Sequence, residues 1–237
     1  MIGDNILSTL RRVGWPRPAA LIIRHSERPH ISSAIGSNDV PLTPEGIEAA
    51  VRLGHTLAQH NSSIRLFHSA VLRCKQTAES VSVGVVRAGA TGHVIGSRNC
   101  LGGSYLVDHV TALSLADRLG PKFVRTWFGG GIDPAIIKPL AKSLAEHTDY
   151  MVTELARSEP RANLDVHITH DWNVLLFREG IFAIRYEEAG WPEYLDGVVL
   201  RCPADSRTLL WNLTSNGSVI TRRTSPSGGR LALNGPS

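Results

Sequence analysis

The sequence predicts an α/β fold, strands alternating with helices around a parallel sheet, and three observations carry that prediction. Ala19–Ile23 is an unbroken apolar run behind a proline, the pattern of a strand buried on both faces. Segments 64–67 and 164–169 have the composition of further strands. All three runs break abruptly into polar residues at their carboxyl ends: Arg24-His25-Ser26-Glu27-Arg28, His68-Ser69 and His170-Asp171. Between them lie stretches with helical spacing. In open α/β sheets the carboxyl edge of the strands is where ligands bind.

The 237 residues suit one domain with room for an inserted cap. The chain is 42% hydrophobic and 19% charged, which excludes a disordered tail or a fibre. No apolar run reaches the length of a membrane span, and the first residues lack a secretory pattern. Lys and Arg number 25 against 21 Asp and Glu, a net charge of +4 that suits an anionic partner. Three cysteines cannot all pair within one chain, and no CxxC spacing suggests zinc. A reducing, cytoplasmic setting is therefore expected.

The elements follow in order. Residues 1–18 read as a short lead-in ending in Trp15-Pro16-Arg17-Pro18, which disfavours helix. Thr43-Pro44-Glu45 is a helix start, with Thr43 as cap, proline at the first position and an acid at the positive dipole end. Ile47, Ala50, Val51, Gly54, Leu57 and Ala58 then recur on one helical face. Gln76–Val81 reads as helix. The glycine-rich block 84–131 reads as a cap or insertion with a helix over 111–119. A helix is expected from Asp133 to about Arg157 with a kink at Pro139. Another opens at Trp172, strands follow at 194–201 and 208–213, and a mobile tail is expected over 222–237.

The polar strand ends concentrate Arg24, His25, Arg28, Arg73, His170 and Asp171. Arginines and histidines around one point would suit a dianion such as a phosphomonoester. Neighbouring positive charge keeps a histidine neutral, and a neutral imidazole can attack phosphorus while arginines hold the remaining oxygens. A carboxylic acid must then protonate the leaving alcohol, and Asp171 is the nearest candidate.

Leu21-Ile22-Ile23-Arg24-His25-Ser26-Glu27-Arg28-Pro29 resembles the signature of the histidine phosphatase superfamily, which also holds the phosphoglycerate mutases. Leu42-Thr43-Pro44-Glu45-Gly46 and Ser69-Ala70-Val71-Leu72-Arg73-Cys74-Lys75-Gln76-Thr77-Ala78 are similar to its second and third elements. His170-Asp171 resembles the pair of its acid phosphatase branch. The resemblance implies a three-layer α/β/α sandwich with a mostly parallel central sheet. It implies His25 as nucleophile, Arg24, Arg28, Arg73 and His170 around the phosphate, and neither metal nor cofactor. Ser26 stands where the family usually has glycine. No glutamate occurs in 84–131 to supply the mid-chain donor of the other branch, so Asp171 is the expected acid and Asp108 the alternative.

The expected activity is a phosphatase that hydrolyses a small phosphomonoester through a phosphohistidine, with no nucleic-acid or membrane partner. The alternatives are a mutase-like phosphotransferase and a non-catalytic module that binds a phosphorylated ligand. Trp191–Gly197 reads either as a wall at the mouth of the substrate site or as a packed loop.

Overall fold

The computed structural model describes residues 2–157, 164–201, 209–215 and 217–224. Among these residues seven strands form one sheet in the order β3-β2-β4-β1-β5-β6-β7, comprising β1 (Ala19–Arg24), β2 (Ser63–His68), β3 (Thr91–Ser97), β4 (Leu164–Thr169), β5 (Gly197–Arg201), β6 (Leu209–Ser215) and β7 (Ser218–Thr224). The sheet is mixed. Strands β3, β2, β4 and β1 run parallel, whereas β5, β6 and β7 pair antiparallel with their neighbours.

Alternation along β1 builds both cores. Ala19, Leu21 and Ile23 pack with α1 (Asp4–Arg12), α2 (Pro44–Ala58) and α3 (Leu72–Arg87). Ala20 and Ile22 face α4 (His109–Leu119), α5 (Lys122–Phe128), α6 (Leu140–Ala156) and α7 (Asp171–Phe182). A short α8 spans Tyr186–Ala189. The result is the expected three layers, because a strand apolar on both faces must be covered on both.

Thr43 caps α2 as its sequence predicts, accepting from the Gly46 backbone N–H at 3.0 Å. Gly46 lies under the loop after β1, where a Cβ would come within 2.2 Å of the Glu27 carbonyl oxygen. Only glycine lets this loop settle on the start of α2.

Several sequence expectations need correction. Residues 4–12 form α1, whose Ile6 and Leu10 are buried beneath the sheet. The block 84–131 is not one cap: it finishes α3, adds the edge strand β3, and only then crosses the sheet edge as α4 and α5. Strand β3 carries no apolar strand pattern in the sequence, because five of its seven residues are exposed and two are glycine. Pro139 does not kink a helix; it immediately precedes α6, and 133–137 is a turn. The late strand starts at Gly197, and residues 191–196 are a loop. Of the expected tail, Arg222–Thr224 belong to β7, and 225–237 lie outside the described residues.

Candidate active site

The four parallel strands end at one edge, so residues distant in sequence meet there. His25 follows β1, Ser69 follows β2, Arg98 follows β3 and His170 follows β4. Helices α3 and α7 start just beyond, bringing the positive ends of their dipoles to the same edge. A cavity of about 570 Å³ opens there, lined by His25, Arg28, Arg73, Arg98, His170 and Asp171 among others.

Hydrogen bonds define the state of His25. Its Nδ1 donates to the Ser26 carbonyl at 2.7 Å, because a carbonyl can only accept. Its Nε2 accepts from Arg73 Nε at 3.1 Å, because a guanidinium can only donate. The ring is thus the neutral tautomer with its lone pair on Nε2. Burial lowers its pKa well below the ordinary histidine value, and His170, Arg73 and Arg24 act in the same direction.

Arg73 organises the centre. It donates to His25, to the Ser37 carbonyl at 2.8 Å, and through Nη2 to His170 Nδ1 at 3.3 Å. His170 therefore carries its proton on Nε2, which donates to Ser69 Oγ at 3.0 Å. Burial and then Arg73 push its pKa down to about 3. Ser26 is wholly buried; its N–H donates to Thr77 Oγ1 and its hydroxyl to the Gly46 carbonyl at 2.7 Å. The loop after β1 is thus tied to α3 through the Ser26 backbone N–H and to α2 through its hydroxyl.

Arg28 lines the cavity, and its Nε is buried with no partner among the described residues. Burial, the largest influence, lowers its pKa. Arg24 departs from expectation: it is not among the lining residues. Its Nη1 donates to the Pro192 carbonyl at 2.7 Å, its Nη2 lies 3.4 Å from Asp171 Oδ2, and its guanidinium sits 4.2 Å from the Tyr194 ring centre.

Asp171 is the first residue of α7 and faces the cavity. Oδ1 accepts from the Trp172 N–H at 2.9 Å and Oδ2 from the Trp191 indole at 3.0 Å. Burial pushes its carboxyl up, but Arg24, the indole, His170 and the Trp172 N–H together hold it below the usual aspartate value. Asp108 is set apart from this chemistry. It is exposed, caps α4 by accepting from the Thr111 N–H and hydroxyl, and does not line the cavity. The structure therefore does not bring Asp108 to the cavity.

Two contributions fall in stretches that the sequence placed only coarsely, 84–131 as a cap or insertion and 191–197 as a wall or a packed loop. Arg98, Asn99, Ser104, Tyr105 and His109 form the far wall, supplied by β3's end and the segment leading into α4. The loop 191–196 lies behind Asp171, holding Arg24 and the carboxylate.

A model of the histidine phosphatase superfamily (branch 1) matches residues 20–87, from β1 to the end of α3. The resemblance carried by the motifs is shown over that stretch. Residues 170–171, which resemble the other branch, lie outside it. No curated protein matches the chain. Among solved structures, a mycobacterial glucosyl-3-phosphoglycerate phosphatase in complex with VO3 is similar at 18% identity and TM-score 0.55, covering 84% of this chain and 98% of that one. Phosphoglycerate mutase from Bacillus anthracis str. Sterne is similar at 16% identity and TM-score 0.54, covering 85% and 93%. A protein described as mycobacterial hydrolase 1 gives 17% identity and TM-score 0.53, covering 87% and 96%. These likenesses show that the fold is the phosphoglycerate mutase-like α/β fold.

Proposed function

We propose that this protein is a metal-independent phosphatase that hydrolyses a small phosphomonoester through a phosphohistidine on His25. One observation supports it above the others: a buried, neutral imidazole presents its lone-pair Nε2 to Arg73 at the base of the cavity.

The phosphoryl oxygens take over the donors of Arg73 and Arg28, freeing the Nε2 lone pair. Nε2 then attacks phosphorus in line, the bond from phosphorus to the leaving oxygen breaks, and charge builds on the equatorial oxygens against fixed cations. The departing oxygen takes a proton from Asp171 and leaves as the alcohol. A dianion beside Asp171 raises the carboxyl pKa and so favours the protonated acid that this step requires. In the second step Asp171, now a carboxylate, takes a proton from water. The resulting hydroxide attacks phosphorus, and the phosphorus–nitrogen bond breaks to give orthophosphate and free His25. Arg98 and Asn99 on the far wall suit a polar leaving group, in keeping with the glucosyl-3-phosphoglycerate phosphatase to which the fold is similar.

The test is phosphate release from p-nitrophenyl phosphate in the presence of EDTA, comparing the natural chain with His25→Ala. Activity that survives EDTA and disappears with His25 is expected. Full activity in His25→Ala would remove the nucleophile, and loss in EDTA would remove the metal-free route. A panel of phosphorylated metabolites, phosphoglycerates included, then ranks substrates.

A further inference from the structure

We infer that Trp191 is a positioning residue for the proton donor: its indole N–H fixes the Asp171 carboxyl, with Arg24 as the second support. This rests on the phosphatase reading above but concerns a residue outside the cavity. The two groups come from the strands on either side of β1. Asp171 opens α7 directly after β4, whereas Trp191 lies in the loop that enters β5. Only their geometry joins them, through the 3.0 Å bond from Trp191 Nε1 to Asp171 Oδ2.

The carboxyl is held at both oxygens. The Trp172 N–H takes Oδ1, and the indole and Arg24 take Oδ2. Arg24 is itself braced by the same loop, through the Pro192 carbonyl and the Tyr194 ring. Trp191 stands edge-on to Tyr186, with ring centres 5.2 Å apart. At 36% exposure it is not a core residue, so its N–H can be removed without opening a cavity. A carboxyl clamped in this way presents one orientation to a leaving oxygen, the precondition for efficient proton transfer.

The charged and titratable groups around Asp171 are Arg24 from β1, Arg28 from the following loop, Arg73 and Cys74 from α3, Tyr105 from the far wall and adjacent His170. Trp191 is the neutral donor in this set. Its removal leaves every charge in place while weakening the hold on the ionised carboxyl, so the acid stays protonated to higher pH.

Trp191→Phe keeps the ring and deletes the donor. For an alkyl phosphate, whose leaving group needs the acid, kcat should fall about tenfold with KM within about twofold. The alkaline limb of its pH profile should move up by about one pH unit. p-Nitrophenyl phosphate should change by less than about twofold, because its leaving group needs no proton. In an Asp171→Asn background, Trp191→Phe should have no further effect. An equal loss on both substrates, an unmoved limb, or a full additional loss in Asp171→Asn would overturn the assignment. A second readout needs no turnover. In protein labelled with 5-fluorotryptophan, the Trp191 fluorine resonance should titrate with a carboxyl midpoint that Asp171→Asn abolishes. A resonance indifferent to Asp171 would sink the inference, whereas inert p-nitrophenyl phosphate with an intact titration would sink the phosphatase reading alone.

Discussion

The two halves of the sheet do different work. Strands β3, β2, β4 and β1 are parallel, so every carboxyl end lies at one edge and delivers a polar residue to one cavity. Strands β5, β6 and β7 run antiparallel to their neighbours and bury apolar residues such as Val198, Leu200, Leu209, Trp211 and Leu213. Their half reaches the site through the loop entering β5. The difference teaches that strand direction decides which half lines the cavity, because only parallel strands repeat an end at the same edge.

That division can be broken from either side. The largest effect is expected from Trp211→Ala in the antiparallel half. Trp211 is fully buried, stacks on Phe177 at 5.2 Å and donates to Thr224 Oγ1. Its loss should lower stability by about 3–5 kcal/mol in urea unfolding, with kcat per folded molecule unchanged. A kcat that falls in proportion would show that this half shapes the site. In the parallel half, Arg73→Ala removes the donors to His25, His170 and the Ser37 carbonyl. It should cut kcat/KM by about 10²–10³-fold, with a unique core still reported by near-ultraviolet circular dichroism.

Acid should loosen the parallel half first. His167 and His170 have pKa values pushed down to about 3, by burial first and neighbouring arginines second. Burial also lowers His25 and His147, and no histidine lies in β5–β7. Below about pH 6.5 the unfolded chain binds protons that these folded rings refuse, so stability falls as pH falls through that window. His167 and His170 should each contribute about 1.4 kcal/mol of loss per pH unit. Hydrogen exchange at pH 5.5 should show β2 and β4 opening before β6, and the reverse order would refute the assignment. The smallest effect belongs to Arg125, whose ion pairs with Glu179 and Glu187 tie α5 to α7 and α8 at the surface. Arg125→Ala should cost at most about 1 kcal/mol and leave activity unchanged.

The motif residues were legible because local sequence places them. A buried apolar run ending in Arg-His fixes where His25 falls, and Thr43-Pro44 with Gly46 fixes the helix packed beneath it. Strand β3 was not legible, since an exposed edge strand carries no apolar alternation. The place of Asp108 away from the cavity was not legible either, since an exposed aspartate reads the same whether it caps a helix or faces a site. Arg24 was placed at the right strand end, but nothing in the chain order says that its guanidinium turns to Asp171 and Pro192.

The sequence by itself determined the α/β class and the places of His25, Arg73, His170 and Asp171 just beyond their strands, because each depends on neighbours within a few residues. Tertiary structure alone decided the direction of the last three strands, the tautomer of His25, the far wall from Arg98 to His109, and the clamp of Trp191 on Asp171. The clamp, the Arg73 bond to His25 and the hold on Arg24 join residues 20, 48 and 168 positions apart in the chain. Such contacts are set when the two faces of β1 are covered and the loops between elements fall where the packing leaves room.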